Sequence, residues 1–172
     1  MFRKIKSDLH CYQGNWAAQG FWVMLVYRFG RWRYGIRPSI LRKLFSLIYK
    51  ILYKFVQIIT GVELPCETEI GDGFVIDHFG GIVVSGYAKF GDRCRIRNGV
   101  VVGLKNIDEL VAPQIGNDVD IGAGAKILGG IKIGNRVNIG ANAVVLTDVP
   151  DDSIAVGVPA LVKPKSIKKI ND

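Results

Sequence analysis

Between Leu64 and Val145 an aliphatic or small residue returns at every sixth position, in two phased runs. The first run is Leu64, Ile70, Ile76, Ile82, Ala88, Cys94 and Val100; the second is Ile115, Ile121, Ile127, Ile133, Ile139 and Val145. Glycine directly follows Ile70, Ile115, Ile121, Ile133 and Ile139, where a tight turn leaves no room for a side chain. Neither an α-helix, with a period of about 3.6, nor a flat strand, with a period of about 2, produces such spacing. A parallel β-helix does, because each short strand points one aliphatic residue into a narrow core that stacked coils make continuous. Thirteen matches in two registers exclude coincidence, so the expected fold is mainly β: a parallel β-helix of hexapeptide repeats behind a short α-helical segment. Three hexapeptides make one coil of about 18 residues on this reading.

The second run begins 15 residues after the first ends, which is two repeats and three residues more. The phase break places an inserted loop at residues 105–114 (KNIDELVAPQ), expected to form a wall of the active site rather than a bare surface excursion. The chain divides into a helical segment over 1–60, the β-helix over 61–162 and a basic tail over 163–172, with the repeat core built entirely after Gly61.

Charge follows that division. Residues 1–60 carry eleven Lys and Arg against a single acid, Asp8, so the net +8 of the chain belongs to its first third. Phe21 to Tyr27 is too short to span a bilayer. Residues 38–60 place Ile40, Leu44, Leu47, Ile48, Ile51, Phe55 and Ile58 at helical spacing behind Pro38, with Ser39 as a candidate cap and four basic residues interspersed. A basic helix of this kind can lie on an anionic membrane or pack against other helices or subunits. No nucleic-acid motif accompanies the charge. Cys11, Cys66 and Cys94 are an odd number without framework spacing, which argues against a disulfide scaffold, and Cys94 occupies a core position. Residues 1–14 lack an apolar signal core, so the expected location is cytoplasmic, at the inner face of the membrane if the helices bind it.

The stretches GFVIDHFGGIVVSGYA (73–88), IGAGAKILGGIKIGNRVNIGANAVVLTDVP (121–150) and AVGVPALV (155–162) resemble the serine acetyltransferase branch of the hexapeptide-repeat acyltransferases, over roughly residues 63–162. The resemblance implies a left-handed coil, a homotrimer, and acetyl-CoA as co-substrate in a groove between neighbouring subunits. His78 is the solenoid's sole histidine and stands off the core register, and histidine is the usual general base near neutral pH. Glu63 stands where the family carries the aspartate that orients the catalytic histidine, and Asp77 where it holds the acceptor. The resemblance likewise assigns the oxyanion donors to the backbone of Gly103 and Leu104. For acetyl-CoA the candidates are the small residues Gly122, Ala123, Gly140 and Ala141, and the closing Pro159, Ala160, Lys163 and Lys165.

Departures from the family bear on the acceptor. Serine acetyltransferases carry an Asp-Arg-His-Pro run in the inserted loop, whose arginine and histidine hold the amino acid; here the loop reads Leu110-Val111-Ala112-Pro113. A carboxylate left unpaired in a closed site is costly. The acceptor expected is therefore a sugar hydroxyl of a surface polysaccharide or its precursor, with serine O-acetyltransferase as the alternative and a non-enzymatic solenoid as a third reading. Alternating Arg93, Arg95 and Arg97 are candidates for meeting an anionic glycan, or for simple solvation. No metal is expected, since a zinc enzyme on this fold would need three histidines.

Overall fold

The computed structural model describes residues 2–165. Three helices come first: α1 (Phe2–Cys11), α2 (Gln19–Trp32) and α3 (Ser39–Thr60), with a 3-10 turn at Arg33–Gly35 between the last two. Pro38 holds the N-cap position of α3 and Ser39 opens the helix without a side-chain cap. Gly61 closes it in the left-handed region (φ 63), its N–H donating to the Gln57 carbonyl. A β-carbon at Gly61 would also lie 3.3 Å from the Gly81 nitrogen. The helix ends where it does because only glycine satisfies both constraints.

The solenoid follows, with strands numbered in chain order on three faces. The first face stacks β1 (Val62–Glu63), β4 (Ile82–Val84), β7 (Val101–Gly103), β10 (Lys126–Leu128) and β13 (Val144–Val145). The second stacks β2 (Glu69–Ile70), β5 (Lys89–Phe90), β8 (Gln114–Ile115) and β11 (Lys132–Ile133). The third stacks β3 (Val75–Asp77), β6 (Arg95–Arg97), β9 (Asp120–Ile121), β12 (Asn138–Ile139) and β14 (Ser153–Val156), and β15 (Leu161–Pro164) pairs antiparallel at its end. All thirteen hexad residues are buried, so the six-residue period is the period of the core. Cys94 is among them, as its place in the repeat predicts.

Coil length corrects two expectations. Ile76 stacks on Ile96 and Ile70 on Phe90, a coil of twenty residues rather than eighteen. The two additional residues lie in the turn after β3: six positions separate Asp77 from Val83, but four separate their partners Arg97 and Val101. The coil carrying the insertion is longer still, since Lys126 stacks on Val101 and Ile115 on Phe90, twenty-five positions apart. That is seven more than the eighteen between Lys126 and Val144. The phase break understates the insertion because Val102, not Val100, stacks beneath Ile127. Gln114, expected to close the loop, is the first residue of β8.

Both predicted boundaries shift for physical reasons. Val23, Met24, Tyr27 and Tyr49 belong to the same buried cluster as Leu64, Cys66 and Phe74, so the core begins in the helices and not after Gly61. An open solenoid end exposes its core, and α2 covers it. The Tyr27 hydroxyl donates to the Thr68 carbonyl (2.7 Å), and the Cys66 N–H donates to the Tyr49 hydroxyl (3.0 Å). At the other end β15 runs to Pro164, so the expected tail boundary falls inside a strand; residues 166–172 of that tail lie outside the described residues.

Candidate active site

β3 is the free edge of the third face, and His78 leaves it at the corner leading to the first face. The histidine backbone is left-handed (φ 57), and Gly80 and Gly81 after it also have positive φ. A non-glycine residue in that region costs conformational energy, which His78 alone bears in this lengthened turn, and its imidazole stands outward, exposed. Asp77 is held from the next coil: Arg95 Nη1 donates to its Oδ2 at 2.6 Å.

The cleft beside His78, about 430 Å³, is closed on its other side by the helices. Tyr12, Asn15 and Gln19 line it, with Phe79 adjoining His78. The Tyr12 hydroxyl accepts from the Ile76 N–H at 2.8 Å, and burial pushes this phenol far above its ordinary range. Asn15 Oδ1 accepts from the Ala17 N–H (3.0 Å), shaping the break between α1 and α2. Sequence reading missed all four. The only available signal was that break, Gly14-Asn15, because hydrophobic spacing does not say which coil a helix will cover.

The sequence candidates fall into groups. Along the corner occupied by the His78 turn, each coil turns on a small residue. A β-carbon on Gly81 would lie 3.7 Å from the Gly99 Cα, and one on Gly99 would lie 3.3 Å from the Gly124 Cα. The column continues to Asn142, whose N–H donates to the Ala123 carbonyl at 2.8 Å. Gly122, Ala123, Gly140 and Ala141 lie on this column, and Pro159 and Ala160 on the last turn above it. A narrow strip of backbone therefore runs from the last coil to His78. Lys163 is instead on β15 opposite Ile154, and Lys165 donates its N–H to the Asp152 carbonyl at the far corner, so neither joins the strip.

Gly103 and Leu104 are not brought to His78 within one chain, and Glu63 is bonded elsewhere. Glu63 lies beside Val83 and accepts a hydrogen bond from Gln57 Nε2 (3.2 Å); among the described residues no hydrogen bond links it to His78. Gly103 ends β7, the central strand of the first face, at the corner opposite the one where His78 turns and two coils beyond β1. The inserted loop starts there, so it does not wall the His78 cleft of its own chain. Of the three arginines expected to alternate along one strand, Arg93 stands in the preceding turn (φ 55) bound to Asp118, while Arg97 pairs with Asp120.

A hexapeptide solenoid capped by helices, with a strained, outward histidine beside an ion-paired aspartate, defines a hexapeptide-repeat transferase. The family described as bacterial transferase hexapeptide (six repeats) matches residues 112–147. A putative colanic acid biosynthesis acetyltransferase, WcaB, of Escherichia coli K12 is 35% identical over 154 residues, 87% of this chain and 93% of that protein. A serine acetyltransferase of Synechococcus elongatus is 39% identical over 144 residues, 83% of this chain but only 56% of that protein's length. Among solved structures, the serine acetyltransferase of Brucella abortus superimposes with a TM-score of 0.81 at 27% identity, covering 96% of this chain and 69% of that one. The chain belongs to the hexapeptide-repeat acetyltransferases, with the left-handed β-helix of that family. It is an acyltransferase, as the repeat and the Asp-His pair predict.

Proposed function

We propose that the protein transfers acetyl from acetyl-CoA to a sugar hydroxyl, with His78 as general base. The observation that carries the sugar reading is the chemistry of the cleft: neutral hydrogen-bonding groups on Tyr12, Asn15 and Gln19, an exposed Phe79 face, and one carboxylate, Asp77, already paired with Arg95. Such a lining suits hydroxyl groups and a sugar face better than the free ammonium of an amino acid. The near-complete span of the Escherichia coli relative, 93% against 56% for the Synechococcus enzyme, supports the same reading. His78 Nε2 or Nδ1 takes the acceptor proton as the hydroxyl oxygen attacks the thioester carbonyl, and returns it to the departing CoA sulfur when the tetrahedral intermediate collapses. Asp77 and Arg95 position the acceptor beside it. The strip of small residues from Pro159 to Gly81 is the path for the pantetheine arm, and Gly103 and Leu104 supply oxyanion donors from a neighbouring subunit.

That division of donors between chains is what favours a homotrimer, since His78 and the β7 end face different corners of one solenoid. The exposed stripe on α3, bordered by Lys43, Lys50 and Lys54, supports peripheral contact with an anionic membrane at its cytoplasmic face. No described helix is long and apolar enough to cross a membrane.

The second reading is serine O-acetyltransferase, and the comparisons favour it over a sugar acceptor: most named relatives and the structural neighbours are serine acetyltransferases. CoA thiol release separates the two. The sugar reading expects release with acidic or neutral oligosaccharides and little with L-serine. A serine kcat/KM of about 10⁴ M⁻¹s⁻¹ or more would overturn it.

A further inference from the structure

A mainly apolar concavity lies away from the solenoid, between α2 and α3. Trp22, Leu25 and Phe29 face Leu52, Phe55 and Ile59 across it, each helix contributing side chains at i, i+3 and i+7. Its volume, about 450 Å³, falls within the range of small-molecule sites, about 300–1,000 Å³. The two helices run antiparallel: the Phe29 and Trp32 rings meet Phe45 near the start of α3. Ile59 and Thr60 therefore lie by the start of α2, where Gln19 lines both this groove and the His78 cleft. A second link joins them, because Gly61 after Thr60 packs on Gly80 and Gly81 of the histidine turn. Apart from Gln19 and Thr60 at this mouth, every lining side chain is apolar.

Gln19 thus belongs to the lining of both cavities. We infer that the groove between α2 and α3 holds the hydrocarbon chain of a lipid-linked acceptor whose sugar head lies in the His78 cleft; this rests on the sugar reading. The outer surface agrees in charge. Beyond the groove α3 exposes Ile40, Leu44, Leu47, Ile51 and Ile58, and Lys43, Lys50 and Lys54 border that stripe on one side, a match for an anionic lipid surface from which such an acceptor would be drawn. Arg33, Arg42, Lys43 and Lys50 line a further concavity at the far end of α3 and extend the basic border.

The probe is cis-parinaric acid, a fluorescent hydrocarbon chain, titrated into the full chain without lipid, with farnesyl phosphate and inorganic phosphate as competitors. Saturable binding of one probe per chain, displaced by farnesyl phosphate and not by phosphate, is expected. Ile59→Glu puts a charge at a half-exposed lining position and should weaken binding about tenfold or more. Leu25→Trp fills the groove without a charge and should weaken it similarly, which guards against a folding artefact. Ile40→Glu carries the same charge on the same helix outside the groove and should bind within about twofold of the unaltered protein. No saturable binding, equal binding by Ile59→Glu and Leu25→Trp, or displacement by phosphate alone would each overturn the inference. So would absence of probe binding together with altered sedimentation of Ile59→Glu, which would mark the groove as a contact between copies of this chain. Thiol release with water-soluble oligosaccharides tests the sugar reading separately. Sugar acetylation without chain binding overturns the groove alone, whereas chain binding with serine as the one acceptor overturns the acceptor assignment and leaves the groove without its sugar.

Discussion

Arg95 on β6 donates to Asp77 on β3 at 2.6 Å, so the carboxylate next to His78 is oriented from the adjacent coil rather than from its own strand. Both side chains are partly exposed, which limits the worth of the pair to about 1 kcal/mol. Arg95→Gln should therefore raise the acceptor KM about fivefold, with a smaller change in kcat. Arg95→Lys should recover part of the loss. A fall in kcat with unchanged KM would show that the pair acts on the chemical step instead.

His78→Ala should lower kcat by about 10² to 10⁴, the usual worth of a general base, without loss of fold because the side chain is exposed. Glu63 bonds to Gln57 within one chain, so Glu63→Gln should cost less than His78→Ala. Steady-state rates at saturating acetyl-CoA check both. A Glu63→Gln loss equal to that of His78→Ala would mean that the glutamate reaches the imidazole in the working enzyme.

Arg28 and Asp8 are buried together, Nε to Oδ2 at 2.8 Å and Nη2 to Oδ1 at 3.1 Å, and Arg28 also donates to the carbonyls of Ile70 and Gly71. This four-way contact ties α1 and α2 to the first coil. Removing one partner strands the other charge, so Asp8→Ala should cost about 3–5 kcal/mol and lower Tm by about 10 °C. The double change Asp8→Leu with Arg28→Met should cost less than either single change. Calorimetry of the three variants decides.

Stability should be flat near neutrality and fall at both ends of the pH scale. Asp72 is held below its ordinary range by the hydrogen bond from Lys4, Asp118 by Arg93 and Asp152 by Arg136. Carboxylates depressed in the folded state stabilise it above the ordinary value near 3.8, and that contribution is lost as pH falls through their lower folded values. Burial pushes the Cys94 thiol from 9.0 up to about 11, so its contribution is complete below pH 9 and is lost as pH rises toward 11. Melting curves from pH 3 to 11 check the two limbs, and Cys94→Ala should flatten the alkaline one.

The hexad rule named thirteen residues that are all buried, because a narrow stacked core takes an aliphatic side chain from each short strand, but it passed over the second inward set that includes Phe74, Phe90, Ile96 and Val102. His78 was legible for a related reason: a lone titratable ring off the core register has to point outward. Residue spacing alone left the lengths of irregular turns undetermined. Two additional residues after Asp77 and seven in the inserted loop become countable only when strands are paired. Tertiary structure alone also decided what α2 covers. Amphipathic spacing states that a face will be buried but not against what, and burial of that face on the first coil is what brings Tyr12, Asn15 and Gln19 to His78. The separation of Gly103 and Leu104 from His78 has the same origin, since positions 25 residues apart in sequence become distant or adjacent according to which corner of the coil each one turns.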